Sequence, residues 1–363
     1  MPLSLTGYIF DRGIVSHSYF SAQPALDKIP RLGTLFISTI EKEHGMKHWK
    51  PVLCAVLSAA LLTACGAPAP AETDVPAPQT VTFTDALGYE AAIESWERVV
   101  SLYGSFAETW MLAGGALVGT TSDALEERQL DLGEGVAVVG TVKSPNLEEI
   151  IAADPDFVIL AADIAGQAEL HQALADASIP HAYFRTDTFV EYLSMLELFC
   201  SMTGRQDLYE KNGLAVQEQI DAVLDAVAGQ SQPTALLIRA YSSGAKAKGD
   251  DNLAGVILRD LGADNLVTRH ESLLEDLSLE EIIAADPDFI LVTTMGASDE
   301  AAMAFMADTF ESNPAWTGLS AVRNGRYVLL PRDLFHYKPN ARWGESYAYL
   351  AKILYPDLAA KLP

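Results

Sequence analysis

One eleven-residue phrase occurs twice in this chain. Residues 147–157 read LEEIIAADPDF, and residues 279–289 read LEEIIAADPDF again, 132 residues later. Asn146 and Ser278 precede the two copies as helix N-caps, and Glu149 and Glu281 stand three residues on, where capping-box partners belong. Leu147, Ile150 and Ile151, like Leu279, Ile282 and Ile283, space an apolar face at helical intervals. Pro155 and Pro287 stop the helices, and the apolar runs Val158-Ile159-Leu160 and Ile290-Leu291-Val292 that follow read as buried strands. Two copies this far apart predict two similar lobes, each built from helix–strand units.

The size agrees. At roughly 150 residues per domain, 363 residues hold about two. The hydrophobic content of 49% excludes a disordered chain. The folded part is expected to begin near Val81, where Val81–Thr84, a turn at Asp85–Gly88 and Tyr89–Ile93 pattern as a hairpin. A β-branched run at Arg98–Leu102 then leads into a helix over Ser105–Ala113, and the strand–helix alternation that continues predicts an α/β fold with parallel sheets. Between the repeats, 189–200 and 207–227 read as helices broken around Thr203-Gly204. In the second, Val216, Ile220, Val223, Leu224 and Val227 form one stripe. At ~1.5 Å per residue this helix is long enough to run from one lobe to the other. The expected organisation is an N-terminal lobe at 81–205, a connecting helix at 206–229 and a C-terminal lobe at 230–363.

The first eighty residues read as an address. From Met46, Lys47 and Lys50 form a basic n-region and Val52–Leu62 a short apolar core, a signal-peptide layout too short for a permanent span of ~20 residues. Leu62-Thr63-Ala64-Cys65 resembles the lipobox of bacterial lipoproteins, in which the cysteine is lipidated and becomes the mature N-terminus. Residues 46–64 are therefore assigned as leader, Cys65 as the lipidation site and 65–80, rich in Pro and Ala, as a tether. Because a signal peptide stands first, residues 1–45 are assigned as a misplaced upstream extension. Processing at Cys65 leaves Cys200 as the one other cysteine, so no internal disulfide can form.

The chain carries 24 Lys+Arg against 49 Asp+Glu, a net charge of −25 that repels phosphate backbones and excludes nucleic-acid binding as the main function. No glycine-rich dinucleotide turn, phosphate loop, H-E-x-x-H or G-x-S-x-G is present, so catalysis has no visible equipment. The four histidines beyond the leader (His171, His181, His270 and His336) are too scattered for a zinc site. In doubly wound lobes ligands gather where strands end. That rule nominates Tyr103, Asp163 and Arg185 in the first lobe, and Arg239, Tyr241, Lys246, Lys248 and Met295 in the second. The segment after the last strand, Arg332–Trp343, adds His336, Tyr337, Lys338 and Arg342, with Trp343 expected to pack under the last helix. Basic groups ringed by aromatics in so acidic a chain suit an anionic, partly aromatic ligand.

The lipobox, the tether, two α/β lobes with L-E-E-I-I-A-A-D-P-D-F-[VI] units and a single long helix between them resemble one family. These are the substrate-binding proteins of ABC importers for iron chelates and vitamin B12, and the likeness covers Val81–Pro363. It implies a ligand cleft between Rossmann-like lobes, bordered by the last loop, with small hinge motions. It also implies a monomeric, extracytoplasmic, lipid-anchored protein without cofactor or enzymatic activity, which hands an iron chelate to a permease dimer with cytoplasmic ATPases. One glutamate per lobe docks on the permease in that family, at positions that match Glu148 and Glu280. Haem or cobalamin is the alternative ligand, and for haem Tyr103, Tyr241, Met295, His336 or Tyr337 would supply an axial ligand. From other classes, a transferase-like α/β enzyme or a scaffold lipoprotein would share the same outline.

Overall fold

Each copy of the repeat builds the same corner of a lobe. The computed structural model describes residues 80–296 and 298–362, so the leader, Cys65 and the tether through residue 79 lie outside the described residues. Helix Leu147–Ala152 starts at Asn146, whose side chain accepts from the amides of Glu148 and Glu149. Helix Leu279–Ala285 starts at Ser278, which accepts from the amide of Glu281. Past each helix an aspartate takes the left-handed conformation, Asp154 at φ 48° and Asp286 at φ 42°. The prolines that follow disfavour a right-handed helical residue before them, and Asp tolerates the left-handed region better than most. The reciprocal half of the capping box is not formed. Glu281 instead accepts from the Ser272 hydroxyl and contacts His270 Nδ1 at 3.0 Å, because these neighbours offer its carboxylate stronger partners than its own N-cap amide.

The last aspartate of each copy is a latch. Asp156 accepts from the amides of Glu97 and Arg98 at 2.9 Å each and from the Ser95 hydroxyl. Asp288 accepts from the amide and hydroxyl of Thr234, at 2.9 Å each. Both carboxylates thus hold the start of a central strand against the strand that the repeat itself enters. Asp288→Ala should cost about 1–3 kcal/mol, because it leaves the half-buried amide and hydroxyl of Thr234 unpaired, whereas Asp156→Ala should cost less, because its donors on Ser95, Glu97 and Arg98 are exposed and water replaces the carboxylate. Chemical denaturation checks this, with the larger loss expected from the second lobe.

In chain order the strands are β1 (Val81–Thr84), β2 (Glu90–Ile93), β3 (Val99–Ser101), β4 (Leu117–Thr120), β5 (Ala137–Val138), β6 (Gly140–Thr141), β7 (Ser144–Pro145), β8 (Phe157–Ala161), β9 (His181–Phe184), β10 (Thr234–Tyr241), β11 (Gly244–Ala247), β12 (Asp264–Asn265), β13 (Phe289–Thr294) and β14 (Tyr327–Leu329). The first sheet runs β5-β4-β3-β8-β9, parallel throughout, and β1–β2 form the expected hairpin. The second runs β11-β10-β13-β14, with β12 also on β10. Its pairs are parallel except β10–β11, which turn back on each other through Ser242-Ser243. The repeat extends to register. Phe157 pairs with Val99 and Phe289 with Ala235, while the next residues, Val158 and Ile290, pair with His181 and Tyr327.

Alternating strand residues sort into layers. Val158 and Leu160 face the repeat helix through Ile150, as Ile290 and Val292 face theirs through Ile282. Phe157 and Ile159, and Phe289 and Leu291, point the other way into one core shared by both lobes. The connector lies in this core. Gly204, at φ 70°, ends helix Phe189–Thr203, and a helical run over 206–227 follows, α-helical at Gln206–Tyr209 and Ala215–Val227 with a π-turn at Glu210–Leu214. Val216, Ile220, Val223 and Val227 are its buried stripe, and the final helix Trp343–Leu354 packs along it. Trp343 is fully buried with Phe189 and Tyr347 at its edges. A core continuous through the connector holds the lobes together, since parting them would expose it at about 25 cal/mol per Å² of apolar surface.

Candidate functional site

The nominated groups of the first lobe begin at the end of β3. After β3 the chain turns so tightly into helix Gly104–Leu112 that a Cβ on Gly104 would lie 2.7 Å from the amide nitrogen of Ala124. The Gly104 amide donates to buried Asp123 at 2.8 Å, and Tyr103 is placed at the helix start. Burial first, then the charges of Asp163 and Asp123, push the Tyr103 phenol far above its ordinary value, so it stands as a neutral hydrogen-bond donor.

Arg128 is held behind Tyr103 by contacts that cross between lobes. It is ion-paired with Glu108, and its Nη1 donates to the Lys338 carbonyl at 2.9 Å. Asn340, left-handed at φ 52°, donates to Glu108 at 2.7 Å and to the Ser105 carbonyl at 2.9 Å. Lys338 is buried and ion-paired with Asp187. Burial lowers the Arg128 pKa only to about 10, which leaves the guanidinium charged at neutral pH.

From the second lobe come Arg239, half-buried on β10, and Arg332, just after β14. Arg332 donates to the Gly296 carbonyl at 2.8 Å, pairs with Asp299 at 3.4 Å and lies 5.2 Å over the Tyr337 ring. His336 stands among these cations. Burial, and then Arg239, Arg332 and Lys338 against the opposing charge of Asp299, push its pKa down to about 4. The buried Nε atoms of Arg128, Arg239 and Arg332 have no hydrogen-bond partner among the described residues. Three guanidinium groups with unused donors, two tyrosines and a neutral imidazole therefore share one electrostatic neighbourhood. Guanidinium and phenol donors of this kind suit anionic oxygen.

The histidine has a measurable consequence. Its folded pKa of about 4 lies below the ordinary ~6.5, so the unfolded chain binds more protons between those values. Stability should fall as pH drops through that window, by up to about 3 kcal/mol from His336 at ~1.36 kcal/mol per unit. His181, also lowered by burial, acts in the same direction. Denaturation of ligand-free His336→Gln between pH 4 and 7 should give a flatter acid limb than the parent protein.

Of the residues nominated from sequence, Tyr103, Arg239, His336 and Tyr337 come together, while Tyr241 and Met295 lie half-buried near the end of β10 and after β13. Others are committed elsewhere. Lys338 braces Asp187, so it serves as a strut. Arg342 is exposed and bonded to Glu345 and Asp333. Lys246 lies on β11 rather than in a loop, because the chain reverses after Tyr241, and Lys248 pairs with Asp251 at 2.7 Å. Arg185 lines a separate cavity of about 300 Å³ with Phe83, Phe184, Val190, Met195 and Leu198. Asp163, Glu148 and Glu280 are exposed, the glutamates in the first turns of the repeat helices. Sequence reasoning missed Arg128 and Glu108, which carry no motif. Arg332 and Asn340 lay inside the nominated basic and aromatic stretch without being singled out. Among the described residues no group of three or more His, Cys, Asp or Glu side chains could hold a metal ion, and no helix is long and apolar enough to cross a membrane.

Comparison with known proteins bears on this geometry. Residues 99–334 match the family model described as periplasmic binding protein. The Fe(3+)-citrate-binding protein YfmC of Bacillus subtilis is 24% identical over 242 residues, covering 65% of this chain and 74% of YfmC. A periplasmic haem-binding protein from Pseudomonas aeruginosa superposes with a TM-score of 0.59 at 24% identity, over 72% of this chain and 94% of its own. Staphylococcus aureus SirA, solved with staphyloferrin B, gives 0.58 at 22% identity, over 77% and 98%. The family expected from the repeated helix–strand units and the two lobes is thus confirmed: this chain belongs to the periplasmic binding proteins.

Proposed function

We propose that this protein captures an anionic ferric chelate, a siderophore of carboxylate type or ferric citrate, and delivers it to an ABC permease. The observation that carries the reading is the convergence of Arg128, Arg239 and Arg332, each with a buried Nε lacking a partner, in a chain that is otherwise strongly acidic. Guanidinium groups match carboxylates in fork geometry, and a cluster of cations concentrates an anion that the rest of the surface repels. Tyr103 adds a neutral donor, and Tyr337 an aromatic face already stacked on Arg332. The iron is cargo held by its chelator. That YfmC is named for ferric citrate binding and SirA was solved with staphyloferrin B supports the class of ligand.

Haem is the second reading, favoured by one observation. His336 is kept neutral, the form that ligates iron, whereas Tyr103 is held far from the phenolate an axial tyrosine would need. Delivery is assigned to Glu148 and Glu280, which present exposed carboxylates from equivalent turns to arginines of a permease dimer. The leader and Cys65 would place the protein outside the cytoplasm on a lipid anchor. Cells lacking the protein should lose uptake of radioiron supplied as ferric citrate or a carboxylate siderophore and regain it with the intact gene. Unchanged uptake of every ferric chelate and of haem would reject the reading.

A further inference from the structure

The repeat is identical at more positions than its fold requires. Packing accounts for Ile150 and Ile282, both fully buried, and for Phe157 and Phe289 on the sheets. Asp156 and Asp288 are the latches, and Asp286 accepts from the amide and hydroxyl of Ser320 at 2.7 Å each. Glu281 is engaged by Ser272 and His270, whereas its counterpart Glu149 is exposed, so that pair of positions differs between the lobes. What remains identical and exposed in both copies is Glu148, Ile151 and Ala152, matched by Glu280, Ile283 and Ala284, and the large side chains among them are the glutamate and the isoleucine. Positions three apart share a helix face, so each isoleucine stands beside its glutamate. Ile151 is 46% exposed and Ile283 36%. A single exposed isoleucine is ordinary. The same isoleucine beside the same exposed glutamate, once on each lobe, is a surface presented twice.

We propose that Ile151 and Ile283 are apolar anchors of a two-part contact with a two-fold pair of like membrane subunits, each subunit offering a cation to the glutamate and an apolar ledge to the isoleucine. The inference rests on the permease reading above and extends it. A partner that reads both lobes alike must itself carry two copies of one complementary face, which a two-fold permease does. The apolar contact excludes water from the neighbouring Glu–cation pair and so strengthens it, as in the desolvated centres of protein interfaces. Ionic attraction orients the approach, and the isoleucines set how long the complex lasts.

The test is uptake of radioiron citrate by cells carrying the full-length protein, beside the affinity of the purified protein for ferric citrate. The Ile151→Ser, Ile283→Ser pair should lower uptake about tenfold or more, each single change should lower it less, and affinity should stay within about twofold. A photo-cross-linker at position 151 or 283 in intact cells should capture the same membrane subunit, a readout that needs no ligand. Normal uptake in the double isoleucine variant, when Glu148→Ala with Glu280→Ala abolishes it, would overturn the proposal and leave the docking glutamates standing. Normal uptake in both double variants would overturn the docking reading as well. A parallel loss of ferric citrate affinity in the isoleucine variant would place these side chains in the ligand site and likewise overturn it.

Discussion

Arg239→Ala should weaken binding of a ferric carboxylate chelate by about tenfold to 100-fold while leaving the fold as stable as before, or more so. Hydrogen bonds to charged groups are worth about 1.5–3 kcal/mol, and every 1.4 kcal/mol is tenfold in affinity. Arg239 carries no ion pair among the described residues, and its Nε is buried without a partner. Truncation therefore removes an unsatisfied donor and one of the cations that keep His336 deprotonated. Binding and stability should move in opposite directions, which separates loss of a recognition group from general damage. Calorimetric titration gives the first quantity and chemical denaturation the second. The His336 pKa, followed by NMR, should rise in the same variant.

Glu108→Ala should be costlier to the protein itself, by roughly 3–5 kcal/mol, the usual penalty for breaking a buried ion pair from one side. Arg128 and Glu108 have side chains only 11% and 28% exposed, so the guanidinium left behind would be largely cut off from water. The same carboxylate accepts from Asn340 at 2.7 Å, and Asn340 belongs to the segment that reaches from the second lobe to the first. One substitution thus loosens a contact between lobes and frees a cleft arginine from its setting. Chemical denaturation should show the loss, Glu108→Gln should recover part of it, and ligand affinity should fall less than in Arg239→Ala. A stability unchanged within about 0.5 kcal/mol would mean that this strut holds nothing.

What sequence could tell and what it could not divides along the range of the interactions. The repeat helices, the hairpin at 81–93, the break at Gly204 and the apolar stripe of the connector depend on neighbours within a few residues, and pattern alone located them. The latches also have a local part, since the Asp-Pro-Asp turn fixes where Asp156 and Asp288 stand, but their acceptance from the segment just before β3 and from the start of β10 needed the fold. The cleft is different. Asn340 meets Ser105 across 235 positions and Arg128 meets the Lys338 carbonyl across 210, and no spacing rule reaches that far. A basic residue in an acidic chain attracts notice, yet only the structure shows whether it already has a partner. Lys338, Lys248 and Arg342 do, Arg239 has no ion pair among the described residues, and Arg332 keeps a buried Nε without a partner beside its pair with Asp299. The Lys246 position changed because the pattern did not reveal that β10 folds back into β11.

The most direct measurement is a calorimetric titration of the purified protein with ferric citrate, a ferric carboxylate siderophore, haemin and cyanocobalamin, followed also by visible spectroscopy. The account predicts one-to-one, saturable binding of a ferric carboxylate chelate that weakens as salt screens the arginines, and no binding of cyanocobalamin, which offers them no carboxylates. Binding of cyanocobalamin alone, or of nothing in the panel, would contradict it.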